Sequence, residues 1–176
     1  MTDVHSPEIR SKNMRAIRSA DTQPELLIRK SLHAAGLRYR LGGAGLPGRP
    51  DLVFPKYRTV IFAHGCFWHG HDCKYFKLPM TRTDFWQTKI QTNRLRDSTA
   101  IERLAADGWN VIVVWECALK TANARGADVM VDIVRLLKSF KENPGPTFAE
   151  VSMRPTMLSF VPSRAIQSAH IAFQQR

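Results

Sequence analysis

Three cysteines restrain this chain's fold more than any other feature. Two of them bracket a histidine in "CFWHGHDC", as Cys66-x4-His71-x-Cys73, and the third, Cys117, stands far downstream in "VVWECAL". Three thiolates and one imidazole form the Cys₃His set that structural zinc favours. If the four share one ion, two distant stretches of chain must end at one point. Each stretch follows a β-rich run, "RTVIFAH" at 58–64 and "WNVIVVWE" at 109–116. Laid side by side with their C-terminal ends together, those strands bring Cys117 to the loop. Four protein ligands leave no open position, so such a zinc folds the loop and does no chemistry. The bland alternative is three ordinary buried thiols. An odd cysteine count argues against a disulfide framework.

The rest of the chain surrounds these strands with helices. "TQPELLIRKSLHAAG" predicts a helix, with Thr22 as N-cap, Glu25 as its capping-box partner and Gly36 as stop. "LRYRL" reads as a short strand and "GGAGLPGRP" as a loop. "DLVF" and "RTVIFAH", joined by "PKY", predict an antiparallel hairpin. A long helix runs from Thr83, its expected N-cap, to Gly108. The unbroken apolar run in "WNVIVVWE" predicts a strand covered on both faces. "GADVMVDIVRLLKSF" predicts a closing amphipathic helix. The expected fold is α/β, a mixed sheet flanked by helices. Residues 1–20 read as a basic arm, 21–140 as the folded domain, and 141–176 as a mobile tail with a short helix near 164–173.

Lys and Arg number 26 against 15 Asp and Glu, a net charge of +11. Such an excess speaks to partners more than to fold, with nucleic acid first and an anionic membrane surface second. No apolar run is long enough to span a bilayer, and "MTDVHSPEIR" has no signal-like apolar core. The expectation is a cytoplasmic protein.

Asp51 is the only carboxylate between Glu25 and Asp72, and it opens a strand after a Gly-rich loop. A nuclease places there the acid that binds Mg²⁺ against a phosphate oxygen. PD-(D/E)xK nucleases carry an acid and a lysine on the following strand. This chain has Phe62-Ala63-His64 instead, leaving Ala63 its backbone carbonyl and His64 a base or stabilising role. Pro-Asp alone is a weak signal and reads first as a plain strand start. His69 is left over once His71 goes to zinc, and it suits a general base. Trp86, Lys89, Asn93 and Asp97 follow at helical spacing on one face. Asp97 on that face is suited to orient His69, with Lys89 and Asn93 as donors to nucleic acid. A solvated polar face is the competing reading for Lys89 and Asn93. The run His69-Gly70-His71-Asp72 also permits a metallohydrolase ligand set, although it departs from the His-x-His-x-Asp-His pattern of such enzymes.

Together, "RSKNMRAI", "LPGRPDLVF", "VIFAHGCFWHGHDC", "TRTDFWQTKI" and "VIVVWECAL" resemble the very-short-patch-repair (Vsr) mismatch endonucleases, from the arm to about residue 120. The resemblance implies a restriction-endonuclease-like fold and Mg²⁺-dependent nicking of duplex DNA on the 5′ side of the mismatched thymine in a T·G pair. Such pairs arise when 5-methylcytosine deaminates. It implies Asp51 and the carbonyl of residue 63 as Mg²⁺ ligands; the family often has Thr where this chain has Ala63. His69 becomes the base, oriented by Asp97, with His64 assisting at the phosphate and Glu25 near the site. Cys66, His71, Cys73 and Cys117 match the zinc ligands. Phe67, Trp68 and Trp86 match a wedge that enters the base stack, for which burial in the core is the alternative. Unstacking costs a few kcal/mol per step and less at a weak pair, which favours mismatches. Lys12, Asn13, Met14, Arg15 and Arg18 would close over the minor groove, or form a basic tail without DNA. Family members are bacterial, act as monomers and cooperate with MutL, a DNA polymerase and a cytosine methyltransferase. The second functional reading is a non-catalytic, zinc-stabilised mismatch binder.

Overall fold

The computed structural model describes residues 8–9, 12, 20–125, 129–142, 146–152 and 161–162. Its two central strands come from the two apolar runs. β3 (Thr59–His64) and β4 (Asn110–Trp115) pair in parallel, from Thr59 opposite Asn110 to His64 opposite Trp115. A parallel pair needs a long crossover, and α2 (Thr83–Ala106) supplies it. β1 (Arg40–Leu41) and β2 (Leu52–Phe54) extend the β3 side antiparallel, with a 3₁₀ turn at Pro55–Tyr57 closing the expected hairpin. β5 (Thr147–Val151) pairs parallel with β4, and β6 (Val161–Pro162) antiparallel with β5. The result is one mixed sheet in the order β1-β2-β3-β4-β5-β6.

Strand alternation sorts the core into two layers. Leu52, Phe54, Ile61, Ile112 and Val114 face α1 (Gln23–Ala34) and α4 (Val129–Glu142), meeting Ile28, Leu32, Ile133 and Leu137. Val53, Val60, Phe62, Val111 and Val113 face α2, meeting Leu104. Every residue of β4 is buried, as its continuous apolar run requires. Gly36 and Gly108 end α1 and α2 with φ of 81° and 77°, a left-handed geometry costly for other residues.

Three sequence expectations are corrected. The mobile tail does not begin at 141: α4 runs to Glu142, and β5 buries Ala149 and Val151 against the core. α3 (Glu116–Arg125) follows β4 directly, where no helix was expected. Thr83 is the first helical residue of α2, and its hydroxyl donates back to the carbonyls of Pro79 and Met80 at 3.1 Å; the N-cap position falls to Arg82. The short helix expected near 164–173 lies outside the described residues. Among the described residues, no helix is long and apolar enough to cross a membrane.

Candidate active site and metal cluster

The parallel register of β3 and β4 puts both strand ends at one edge, and both groups of cysteines follow from them. Donor atoms of Cys66, His71, Cys73 and Cys117 lie within 4.8 Å of one another. Sγ of Cys117 is 3.5 Å from Nδ1 of His71, so Nδ1 is the nitrogen turned to the thiols. The loop is held by its own backbone, with His71 N–H donating to the Cys66 carbonyl at 2.9 Å and Cys73 N–H to that of His71 at 2.8 Å. Gly70 adopts a φ of 61°, and a Cβ there would meet Ile90 at 2.6 Å. Hydrogen bonding to Cys117 and burial push the Cys66 thiol well up. Thiols packed this closely resist becoming thiolates without a cation, and a bound metal ion is what supplies one. The four donors could therefore hold a metal.

Beside the cluster lies an open cleft of about 910 Å³, lined by Asp51, Ala63, His64, His69 and Asp97 among others. Asp51 precedes β2, and its Oδ2 accepts the Ala63 N–H at 2.7 Å. A strand residue points its N–H and C=O the same way, so the Ala63 carbonyl also faces the Asp51 side. Burial pushes Asp51 up from 3.8 to about 6. The Ala63 N–H opposes this, Glu25 adds to it, and Arg29 and His69 oppose it.

Nδ1 of His69 pairs with Oδ2 of Asp97 in a short contact. That contact orients the ring and turns Nε2 away from the carboxylate. The His69 ring stacks on His64 with centroids 3.9 Å apart and planes 6° from parallel. Burial, and then the neighbouring His69, hold His64 well below the usual histidine range. A neutral His64 can lie face to face with an imidazolium at His69, which two cations could not do cheaply.

Glu25 is buried at the cleft, and it is not a plain capping residue. Its carboxylate accepts from the Asp21 N–H at 3.1 Å, the Thr22 hydroxyl at 2.9 Å and Arg29 Nη2 at 2.7 Å. Thr22 has the extended backbone of an N-cap but caps no helix N–H.

Phe67, Trp68 and Trp86 gather into one half-buried cluster. Phe67 meets the other two rings at 5.2 Å each, and Trp68 and Trp86 lie 6.1 Å apart. None of the three rings is fully enclosed in the core. Asn93 lines the cleft, but its side-chain amide donates to the Trp68 carbonyl at 2.8 Å and so holds the cluster. Lys89 is exposed at the cleft. Lys12 is exposed and helical; Asn13, Met14, Arg15 and Arg18 lie outside the described residues. The rival set of His69, His71 and Asp72 does not form: among the described residues His71 sits with the cysteines and His69 with His64 and Asp97.

Three residues of the site carried no reading in the sequence. Arg94 donates to the carbonyls of His69 (3.0 Å) and Gly70, clamping the loop to α2. Arg29 bridges Asp21 and Glu25, and its spacing of four from Glu25 was a usable signal. Trp115 stacks on His71 at 4.1 Å and presents its ring to His64 at 5.3 Å, while its indole N–H donates to Glu150 of β5. Nothing local in the sequence announces that long-range contact.

A sequence profile of the family described as DNA mismatch endonuclease Vsr matches residues 2–75. The chain is 51% identical to the type II nicking enzyme V.XorIIP of Xanthomonas oryzae pv. oryzae over 124 residues, covering 70% of this chain and 91% of that protein. It is 54% identical to the DNA mismatch endonuclease Vsr of Escherichia coli over 120 residues, 68% of this chain and 77% of that one. Against the type II nicking enzyme V.NmeAIP of Neisseria meningitidis the figure is 48% over 120 residues, 68% and 86%. At such identity over most of the relatives' length, the chain is a DNA endonuclease and belongs to the Vsr mismatch endonuclease family.

Proposed function

We propose that the protein nicks one strand of duplex DNA on the 5′ side of the mismatched thymine in a T·G pair, with Mg²⁺ at Asp51 and a structural zinc at Cys66, His71, Cys73 and Cys117. The observation that carries the reading is the convergence of a half-buried, under-compensated carboxylate and a His69–Asp97 pair on one cleft beside an aromatic cluster. The mixed sheet with helices on both faces supports a restriction-endonuclease-like fold.

Asp51 fits a hard cation. Its carboxyl is raised by burial and by Glu25, so positive charge close by relieves both. Asp51 and the Ala63 carbonyl are the residues that would hold Mg²⁺, and the methyl of Ala63 takes no part, so the departure from Thr at this position costs no ligand. When bound, the ion supplies charge stabilisation at the phosphate oxygens. His69 takes the proton from the attacking water at Nε2, and Asp97 stabilises the imidazolium that results. His64 stays neutral beneath it and donates towards the phosphate. Phe67, Trp68 and Trp86 enter the stack beside the mismatch, with Lys89 and the arm residues Lys12, Asn13, Met14, Arg15 and Arg18 holding the duplex. Asn93 serves by fixing Trp68. The folded domain that does this reaches beyond 140 to include β5, and the protein works as a monomer in cooperation with MutL, a DNA polymerase and a cytosine methyltransferase.

The test compares a T·G duplex with its T·A parent under Mg²⁺. Nicking confined to the T·G strand is the expected result. Equal cleavage of both would sink the mismatch assignment, and tight binding without scission in any divalent ion would replace it by the non-catalytic reading.

A further inference from the structure

Acids outnumber bases along the cleft, yet most of the acids are already engaged. Asp21 and Glu25 pair with Arg29, Asp97 with His69, and Glu116 with Lys120 at 2.6 Å. Among the described residues, the Asp51 carboxylate accepts only the Ala63 N–H. The two exposed basic side chains that line the cleft show the reverse. Arg49 and Lys89 make no side-chain hydrogen bond or ion pair among the described residues. They come from different walls, Arg49 from the β1–β2 loop and Lys89 from α2. Lys89 is accounted for in the reading above, and Arg49 is not.

The backbone under Arg49 is unusual. Gly48 and Arg49 are both left-handed, with φ of 72° and 51°. Glycine adopts this freely, but an arginine does so against a steric cost. The loop cannot drift to relieve it. Pro50 O accepts from Gly43 N–H at 3.0 Å, Arg49 N–H donates to Leu46 O at 3.2 Å, and a Cβ on Gly48 would sit 2.7 Å from that of Ala100. The chain thus fixes an arginine in a disfavoured conformation, two residues before Asp51, with its guanidinium uncommitted. Strain held in place beside a reacting centre is a recurrent mark of a functional residue.

We propose that Arg49 is a phosphate clamp: its guanidinium grips a backbone phosphate of the strand that crosses Asp51 and sets the register of that strand in the cleft. The planar fork of arginine suits a phosphate, and the rigid loop lowers the entropy cost of forming the contact. The proposal rests on the assignment of the cleft to duplex DNA. A phosphate contact carries no base information, so it should strengthen binding to matched and mismatched DNA alike.

Arg49→Gly tests this without risking the fold, since glycine relaxes the left-handed backbone while removing the fork. Affinity of the full chain for T·G and T·A duplexes is measured across a salt series, together with nicking and a thermal melt. Arg49→Gly should weaken binding to both duplexes by about tenfold and reduce the slope of log K against log salt by about 0.9. The T·G preference should hold, and Arg49→Lys should restore the slope. Wild-type affinity and slope in Arg49→Gly would show that Arg49 only shapes the turn, and overturn the proposal. A selective loss of T·G preference would overturn it in favour of a base contact. Wild-type protein that binds duplex without nicking would defeat the functional reading but leave the salt slopes to judge Arg49. Failure of the wild type to bind duplex at all would defeat both.

Discussion

Asp51→Asn exchanges a half-buried carboxylate for a neutral amide of nearly the same shape. The amide oxygen can still accept the Ala63 N–H, which lies 2.7 Å from Oδ2 in the native side chain. What disappears is the charge. Asp51 titrates at about 6 in the folded protein against an ordinary 3.8, chiefly because burial disfavours its ionised form. Below pH 3.8 the group is protonated in both states and the folded protein keeps its full stability. As pH rises towards 6 the unfolded chain loses the proton first, and stability falls; above about 6 the loss is complete. At about 1.4 kcal/mol per tenfold, the ionised carboxylate then costs the metal-free fold about 3 kcal/mol. Asn carries no such penalty. In Mg²⁺-free buffer at about pH 8 the variant should therefore melt higher by up to about 6–12 °C for a chain of this size. The difference should shrink as the pH is lowered towards 4, and narrow when Mg²⁺ stabilises the native protein alone. Nicking should be abolished with DNA binding retained. Thermal unfolding followed by circular dichroism, with and without Mg²⁺, reads all of this. Equal melting temperatures at pH 8, or a difference that ignores pH, would refute the idea that burial of this carboxylate is uncompensated.

Two further outcomes test the other halves of the site. Asp97→Asn removes the carboxylate that accepts from His69 and stabilises its cationic form; single-turnover nicking should fall by about 10²–10⁴ while duplex affinity changes little, and unchanged nicking would remove Asp97 from the mechanism. Cys117→Ser should lower the zinc content of the purified protein and expose the loop at 65–78 to proteolysis, whereas full zinc retention would show that the other three donors suffice.

What the sequence made legible was mostly short-range. The ligand spacing of Cys66, His71 and Cys73 lies on one loop, and the isolation of Asp51 in a stretch free of other acids marks it without any tertiary knowledge. Cys117 and Asp97 needed one inference each, the parallel placement of two strand ends and a shared helix face, and the structure brings both to the expected neighbours. The failures share a cause. β5 is too short and too Pro-flanked to announce itself, and becomes a strand only because β4 offers it a ladder. α3 starts directly after β4 with no breaker or cap between them, so the sequence marks no boundary where the strand gives way to the helix. Arg94, Arg29 and Trp115 act through carbonyls, carboxylates and ring faces supplied by other elements, and composition carries no trace of such contacts.

Trp115, leaning on His71 and edge-on to His64, sits at the end of the strand that is synthesised after most of the cleft. A nascent chain that has left the ribosome only through α2 already carries Asp51, His64, His69 and Asp97. It has neither the indole that backs the imidazoles nor the Cys117 thiol that completes the cluster. Trp115 closes β4 and Cys117 follows it two residues later, so the two missing pieces lie on one short stretch of chain. A product truncated before β4 therefore lacks at once the ring that stacks on His71 and meets His64 and the fourth donor of the cysteine–histidine cluster.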